Sequence, residues 1–336
     1  MRLFRRITGT ASDEREDLFA EIGRLTDANR EQGDPETERR LLRLRHRAGL
    51  RMLAGNGARP EHPSPDFERL PEAEVLPELS PGQVTPGLLR AGILRDGCVL
   101  VRGLVDRDRA VRFAEEIDRS FHERERLQAG HEPAEGYYEE FEPEPPHVVP
   151  PDQRTWIQSG GGVLAVDSPR LAAEMLDMFE SAGVTRLVEG YLGERPVLSL
   201  EKTTLRKAEP QVSGAWHQDG RFMGDVRALN LWLSLSRCGD ESPGLDIVPK
   251  RIEDIVTTNT DEATIDIQIS QSKAEEAAGD TPIVRPIFEP GDALFFDDLF
   301  LHKTGSDPSM PKPRYAIESW FFGASAFPEA YGPVAV

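Results

Sequence analysis

His217, Asp219 and His302 are the residues whose types and spacing could do chemistry, with Arg314 twelve residues beyond the second histidine. Two imidazoles and one carboxylate are the ligand set of a non-haem Fe(II) oxygenase, in which three positions of an octahedral metal stay open. A cation a short way downstream is what such a centre needs to hold a dicarboxylate co-substrate. The His217-x-Asp219 spacing has a simple rationale. Side chains at i and i+2 of an extended chain share one face, so both can reach one ion. By itself the motif is weak, because a chain with seven histidines meets it by chance about as often as not.

Context strengthens the reading. His217 closes the run Val212-Ser-Gly-Ala-Trp-His and is followed by Gly220 three residues on. His302 closes Ala293-Leu-Phe-Phe-Asp-Asp-Leu-Phe-Leu, which follows the tight-turn sequence Glu289-Pro-Gly-Asp. A histidine at a strand end after such a turn is where a barrel mouth places a ligand. The competing role for His302 is a core histidine bonded to backbone. Arg314 opens the last apolar strand, Arg-Tyr-Ala-Ile-Glu-Ser-Trp-Phe-Phe. A cation entering a barrel strand is costly unless it meets an anion, and the arginine fork grips a carboxylate with two bonds. Its alternative is a surface pair with Asp297 or Asp298.

The elements that must position these residues change character along the chain. Residues 13–54 read as two helices broken at Gly33-Asp34-Pro35, from leucines and isoleucines at helical spacing among charges. Arg39 to Arg51 is basic. It suits either a partner or self-association contact, or a helix packed on the main domain with a solvated face. Residues 55–82 are rich in Pro and Gly and read as a linker, giving an N-terminal extension over 1–82 and a main domain over 83–336. In that domain a short helix over Leu88 to Arg95, a strand from Cys98, and a helix from an Asp106 cap to about Gln128 come first. Glu132 to Pro151 is an acidic, aromatic, Pro-rich loop, and Pro169 starts another helix. From 196 onward short β-branched and aromatic runs predict strands near 197–206, 212–217, 227–236, 245–248, 282–288, 293–297, 299–303 and 314–322. Eight short strands suggest a jelly roll flanked by helices, an α+β chain with a mainly β core. An acidic, polar insert at about 251–280 interrupts them.

Bulk properties narrow the class. At 336 residues the chain forms one large domain with additions, or two. With 38% hydrophobic and 29% charged residues it reads as soluble, and no apolar run approaches the ~20 residues of a membrane span. The basic start, Met1-Arg-Leu-Phe-Arg-Arg, leads into polar residues and not an apolar core, so it is no secretory signal. Two cysteines, Cys98 and Cys238, fit a reducing cytoplasm and no disulfide framework. The net charge is −19, yet residues 1–60 hold 13 basic and 10 acidic side chains, so the acidity lies in the main domain. That charge disfavours nucleic acid as a partner and serves solubility.

At this point the sequence resembles the phytanoyl-CoA dioxygenase superfamily. The likeness lies in Leu94-Arg-Asp-Gly-Cys-Val-Leu-Val-Arg-Gly-Leu-Val, Trp216-His-Gln-Asp-Gly-Arg-Phe, Ala228-Leu-Asn-Leu-Trp-Leu-Ser-Leu and Pro243-Gly-Leu-Asp-Ile-Val-Pro-Lys. It continues through Pro290-Gly-Asp-Ala-Leu-Phe-Phe-Asp-Asp-Leu-Phe-Leu-His-Lys-Thr-Gly to Arg314-Tyr-Ala-Ile-Glu. It covers roughly 85 to 325 and implies a double-stranded β-helix that uses Fe(II), 2-oxoglutarate and O2. By carry-over, His217, Asp219 and His302 are metal ligands and Arg314 binds the distal carboxylate of 2-oxoglutarate. Trp232 and Thr304 match supporting positions in the 2-oxoglutarate pocket, or else serve as core packing and a turn cap. Related halogenases lack the carboxylate ligand, so Asp219 favours hydroxylation or desaturation of an unactivated C–H bond. The segment between Asp219 and His302 is longer than the family pattern, and the first 80 residues have no counterpart in it.

Lys202 and Arg206 share a face of the strand before the metal motif, where they meet an anionic substrate or 2-oxoglutarate, or pair with nearby acids. Asn230 bonds either substrate or backbone, and Tyr137, Tyr138, Phe141 and Trp156 are candidates for an aromatic pocket. A small-molecule substrate is expected. The rival readings are a Zn(II)-type hydrolase on the same three ligands and a non-catalytic jelly roll that binds a small ligand.

Overall fold

The computed structural model describes residues 11–336 other than 56, 74, 212, 213 and 259–267. The start of the 212–217 segment and the middle of the 251–280 insert, like the basic residues 1–6, therefore lie outside the described residues.

Two helices come first, α1 (Ala11–Gln32) and α2 (Pro35–Ala54), divided at Gly33-Asp34 as the sequence predicts. Asp34 caps α2 by accepting from the Thr37 N–H at 2.8 Å. There follow β1 (Glu78–Leu79), α3 (Pro86–Asp96), β2 (Cys98–Val101), α4 (Arg107–Gln128), α5 (Pro151–Ser159), β3 (Gly162–Leu164), α6 (Pro169–Ser181) and α7 (Val184–Leu192). The remainder is β4 (Pro196–Ala208), α8 (Gly220–Met223), β5 (Ala228–Ser234), β6 (Gly244–Ile247), α9 (Gln271–Ala278), β7 (Ala293–Phe296), β8 (His302–Gly305), β9 (Arg314–Gly323) and β10 (Pro333–Ala335). Asp106 caps α4 through the Arg109 N–H, as its sequence position implies.

The major sheet runs β1-β2-β7-β5-β9-β4-β10, with β3 also on β4. Opposite it lies a minor sheet of β6 and β8, extended by single bridges from His217 to His302 and from Ile247 to Val284. Alternation along each strand sorts the two faces. Cys98, Leu100, Leu294, Phe296, Trp232, Trp320 and Phe322 face the minor sheet and pack with Leu245, Ile247 and Phe288. Val99, Val101, Phe295, Leu229, Leu231 and Phe321 face outward into a second core under α3, α4, α6 and α7. This is a jelly roll flanked by helices. Its β7 hairpin entrance needs Gly291, which sits at φ +95°, where a Cβ would lie 2.1 Å from the Val105 carbonyl oxygen.

Several expectations shift. Residues 282–288 form no strand, and their backbone pairing is limited to single bridges from Val284 to Ile247 of β6 and from Phe288 to Cys238. The strand expected at 299–303 begins at His302, because Phe300 closes a turn onto the Asp297 carbonyl. In the segment expected at 212–217, the described pairing is limited to bridges at Trp216 and His217. The sheet starts inside the Pro/Gly-rich stretch, since β1 pairs in parallel with β2. Helices α5 and α9 and strands β3 and β10 carry too few periodic residues to be read from sequence.

The basic face of α2 meets an internal partner. Arg39 reaches Glu135 and Glu139, and Arg47 reaches Glu144, all in the acidic loop after α4. Its apolar face, with Leu41, Leu44, Ala48 and Met52, packs with Ile22 of α1 and with Val197 and Ala335. His46 fastens these parts together. Buried beneath α2, it donates from Nδ1 to the Pro333 carbonyl at 2.8 Å and accepts at Nε2 from the Glu144 N–H at 3.0 Å. Burial holds its pKa below the ordinary 6.5, and a second proton on Nε2 would break the Glu144 bond. The folded chain thus binds fewer protons than the unfolded chain just below pH 6.5. This contribution is complete above that pH and is lost as pH falls towards the lowered folded value. Urea titrations at pH 7.5 and 5.5 should show wild type losing more stability than His46→Gln, by up to ~1.4 kcal/mol per pH unit. Equal slopes would show that the imidazole is not held neutral.

Candidate metal centre

The two histidines are brought together by the minor sheet. His217 and His302 form an antiparallel bridge, each N–H donating to the other's carbonyl at 3.0 and 3.2 Å. Each ring is tied at Nδ1 to the carbonyl two residues back, Ala215 at 2.8 Å and Phe300 at 3.1 Å. A carbonyl only accepts, so Nδ1 carries the proton in both rings and Nε2 keeps its lone pair. Such anchoring fixes tautomer and orientation for a metal ligand. Asp219 enters from the turn after His217, and the ligand atoms of the three residues lie within 4.8 Å of one another.

The electrostatics suit a cation. Burial, and then repulsion from His217, pushes the His302 pKa down to about 4, so this imidazole is neutral at pH 7. Burial alone would raise the Asp219 pKa, but attraction, above all from the Lys202 ammonium, outweighs it and lowers the carboxyl below its ordinary value. Oδ1 of Asp219 accepts from Lys202 Nζ at 3.3 Å, whereas the buried Oδ2 has no hydrogen-bond partner. A buried carboxylate oxygen left unbonded, beside two aligned imidazole lone pairs, is what an ion between them would satisfy. The three residues therefore fit a divalent metal. Gln218, between the two motif residues, points the other way and straps the neighbouring loops through Leu299 O, Asp254 O and the Val256 N–H.

The triad opens into a cavity of about 390 Å³. Trp232, Thr304 and Arg314 line it, as do Lys202 and Arg206, which project from β4. Arg314 is buried. It donates to Gly244 O at 3.0 Å, lies 5.4 Å from the Trp232 ring, and leaves Nε unbonded. Among the described residues it has no carboxylate partner. The expected alternatives are overturned, because Asp297 is paired with Arg251 at 2.5 Å and Arg314 lies inside the barrel, far from the surface. Burial lowers the Arg314 pKa to about 10, still well above neutrality, so the guanidinium remains charged. Trp232 both packs on Phe288 and faces the cavity, and Thr304 lies within β8 and caps no turn.

Lys202 and Arg206 are cavity groups, not surface charges, and both are paired with acids. Lys202 joins Asp219 and lies 3.8 Å from the Phe222 ring centroid. Arg206 joins Glu318 at 3.1 Å. Glu318 and Glu201 also line the cavity, and sequence reading passed over both. Glu318 was findable, since it follows Arg314 by four residues on one strand and so shares its face. Of the aromatic candidates, Trp156 on α5 lines the cavity. Tyr137, Tyr138 and Phe141 belong instead to the helix-side core, with Arg119 stacked on Tyr137 at 3.9 Å. Asn230 is fully buried outside the cavity with its amide unbonded, and nothing in the structure explains it.

Comparison with known proteins agrees with this geometry. The sequence model of the phytanoyl-CoA dioxygenase family matches residues 93–314. Among solved structures, EctD from S. alaskensis in its apo form is similar at 18% identity and a TM-score of 0.50, over 72% of this chain and 79% of that one. EctD from the same organism with 2-oxoglutarate and 5-hydroxyectoine is similar at 18% identity and a TM-score of 0.50, over 79% and 87% of the two chains. These likenesses establish the jelly-roll fold. No curated protein sequence matches the chain significantly. Among the described residues, no helix is long and apolar enough to cross a membrane.

Proposed function

Because the chain belongs to the phytanoyl-CoA dioxygenase family, we propose that it is an Fe(II)- and 2-oxoglutarate-dependent oxygenase that hydroxylates or desaturates an unactivated C–H bond of a small molecule. His217, Asp219 and His302 would hold the ferrous ion, and Arg314 would hold the distal carboxylate of 2-oxoglutarate between Trp232 and Thr304. When bound, iron with 2-oxoglutarate and O2 supplies the oxidant for C–H cleavage, with succinate and CO2 as by-products.

The chain's own residues have four tasks. The Nδ1 anchors fix the orientation of both imidazoles and leave Nε2 of each to face the ion. Lys202 keeps Asp219 ionised and fixes one of its oxygens. Arg314 orients the co-substrate with a fork suited to a carboxylate. The aromatic wall of Trp232, Phe296 and Phe222 limits water around the reacting bond.

The observation that carries the proposal is Arg314. A buried guanidinium with no carboxylate among the described residues, in the same cavity as the triad, is costly until an anion joins it. A hydrolase built on the same three ligands has no need of that cation. Anaerobic titration with Fe(II) and 2-oxoglutarate should produce a visible metal-to-ligand charge-transfer band, and admitting O2 should yield succinate. A folded, iron-loaded protein without the band would move the weight to the hydrolase or to a binding protein.

A further inference from the structure

The charges around the cavity carry information about the substrate. Among the described lining residues, Lys202, Arg206 and Arg314 are cationic and Glu201, Asp219 and Glu318 are carboxylates. The balance among these described residues is therefore zero. Loading leaves it unchanged, because a ferrous ion and the 2-oxoglutarate dianion bring equal and opposite charge. A substrate with net charge would then sit uncompensated among Phe222, Trp232 and Phe296, which is costly in a low-dielectric site.

The polar groups left over define what such a substrate offers. Asp219 is committed to the metal, Lys202 to Asp219, Arg314 to the co-substrate, and Glu201 to bonds from Ser199 Oγ and the Gly332 N–H. What remains is the Arg206–Glu318 pair. Arg206 Nε and Nη2 and Thr204 Oγ1 all bond one oxygen, Glu318 Oε2, at 3.3, 3.1 and 3.3 Å. Oε1 has no hydrogen bond among the described residues. Arg206 Nη1 is steadied by the Gly160 carbonyl at 3.3 Å, and Trp156, half exposed on α5, lines the same cavity. Among the described residues Arg206 still has one unbonded N–H on each of Nη1 and Nη2, and these donors beside an open carboxylate oxygen complement a molecule that carries one charge of each sign. Size agrees, since about 390 Å³ lies near the small end of the roughly 300–1,000 Å³ typical of such sites and is shared with the co-substrate.

Resting on the oxygenase reading above, we infer that the substrate is a small zwitterion whose anionic end meets Arg206 and whose cationic end meets Glu318. These two residues set specificity. The test uses the full chain loaded anaerobically with Fe(II) and 2-oxoglutarate, and the probes are the proteinogenic amino acids, glycine betaine, glutarate, putrescine and cyclohexanol. Saturable rises in Tm, with perturbation of the charge-transfer band, are expected from one or more zwitterions of zero net charge and not from glutarate, putrescine or cyclohexanol. The double variant Arg206→Met/Glu318→Gln leaves no unpaired buried charge, so it should fold and keep the band. Its affinity for those zwitterions should fall at least about tenfold. No response to any zwitterion, an equal or greater response to a charged or apolar probe, or undiminished affinity in the double variant overturns the inference. Failure of the band itself would instead sink the oxygenase reading, so the two failures are distinguishable.

Discussion

His217→Ala should leave the fold intact and abolish the charge-transfer band that wild type develops with Fe(II) and 2-oxoglutarate. Succinate formation should fall by at least about 100-fold, since loss of outer-shell partners alone costs 10–100-fold in metal sites. The fold survives because the bridge between residues 217 and 302 is made by backbone groups, which alanine keeps. The metal is lost because Oδ2 of Asp219 and Nε2 of His302 then face an ion from two corners only. Lys202 does not fill the gap, because its ammonium is bonded to Asp219 and has no lone pair to offer a metal. Anaerobic absorption alongside circular dichroism decides the matter. A band of wild-type intensity in a folded His217→Ala protein would remove this residue from the coordination sphere and with it the assignment of the centre.

Arg314→Met should move stability and function in opposite directions. Without co-substrate, Arg314 is a buried charge that has, among the described residues, one carbonyl partner, an unbonded Nε and no counter-ion. Replacing such a group by an apolar side chain of similar length is neutral or stabilising, by up to about 4 kcal/mol. The apo variant should therefore melt at or above the wild-type temperature. Binding reverses the order. Two charge-assisted bonds at about 1.5–3 kcal/mol each predict a rise of at least about 100-fold in the KM for 2-oxoglutarate. Wild type should also gain thermal stability when 2-oxoglutarate is added with Fe(II), whereas the variant should gain little. Differential scanning calorimetry with and without 2-oxoglutarate tests both halves. A variant that is destabilised as apo-protein and binds 2-oxoglutarate normally would show that Arg314 is a structural cation.

The two effects locate the strain in this molecule. Asp219 Oδ2 and Arg314 Nε are buried and without a hydrogen bond among the described residues, both residues line one cavity, and each atom would be satisfied by a different part of the same proposed ligand set. The fold retains both because the major sheet, with its two apolar faces, holds β4, β5 and β9 in register regardless. Stability invested in the sheet offsets the cost of the site.

The sequence by itself determined the parts whose signal is local. His217 and Asp219 lie close enough in sequence to reach one ion, though through a turn and not along one extended strand as expected, Asp34 and Asp106 cap helices, Pro290-Gly291 turns the chain into β7, and alternating apolar runs mark the long strands. Each depends on neighbours a few residues away, which is why residue order suffices. Tertiary structure decided the rest, because the energies involved arise only when distant segments meet. It joined His217 to His302 across the minor sheet and left Arg314 without the acid that sequence proximity offered. It also set Arg206 against Glu318. The basic helix α2 found its anions in the chain's own acidic loop. Pairing of charges depends on distance and burial in three dimensions, and neither is written in the spacing of residues along one chain.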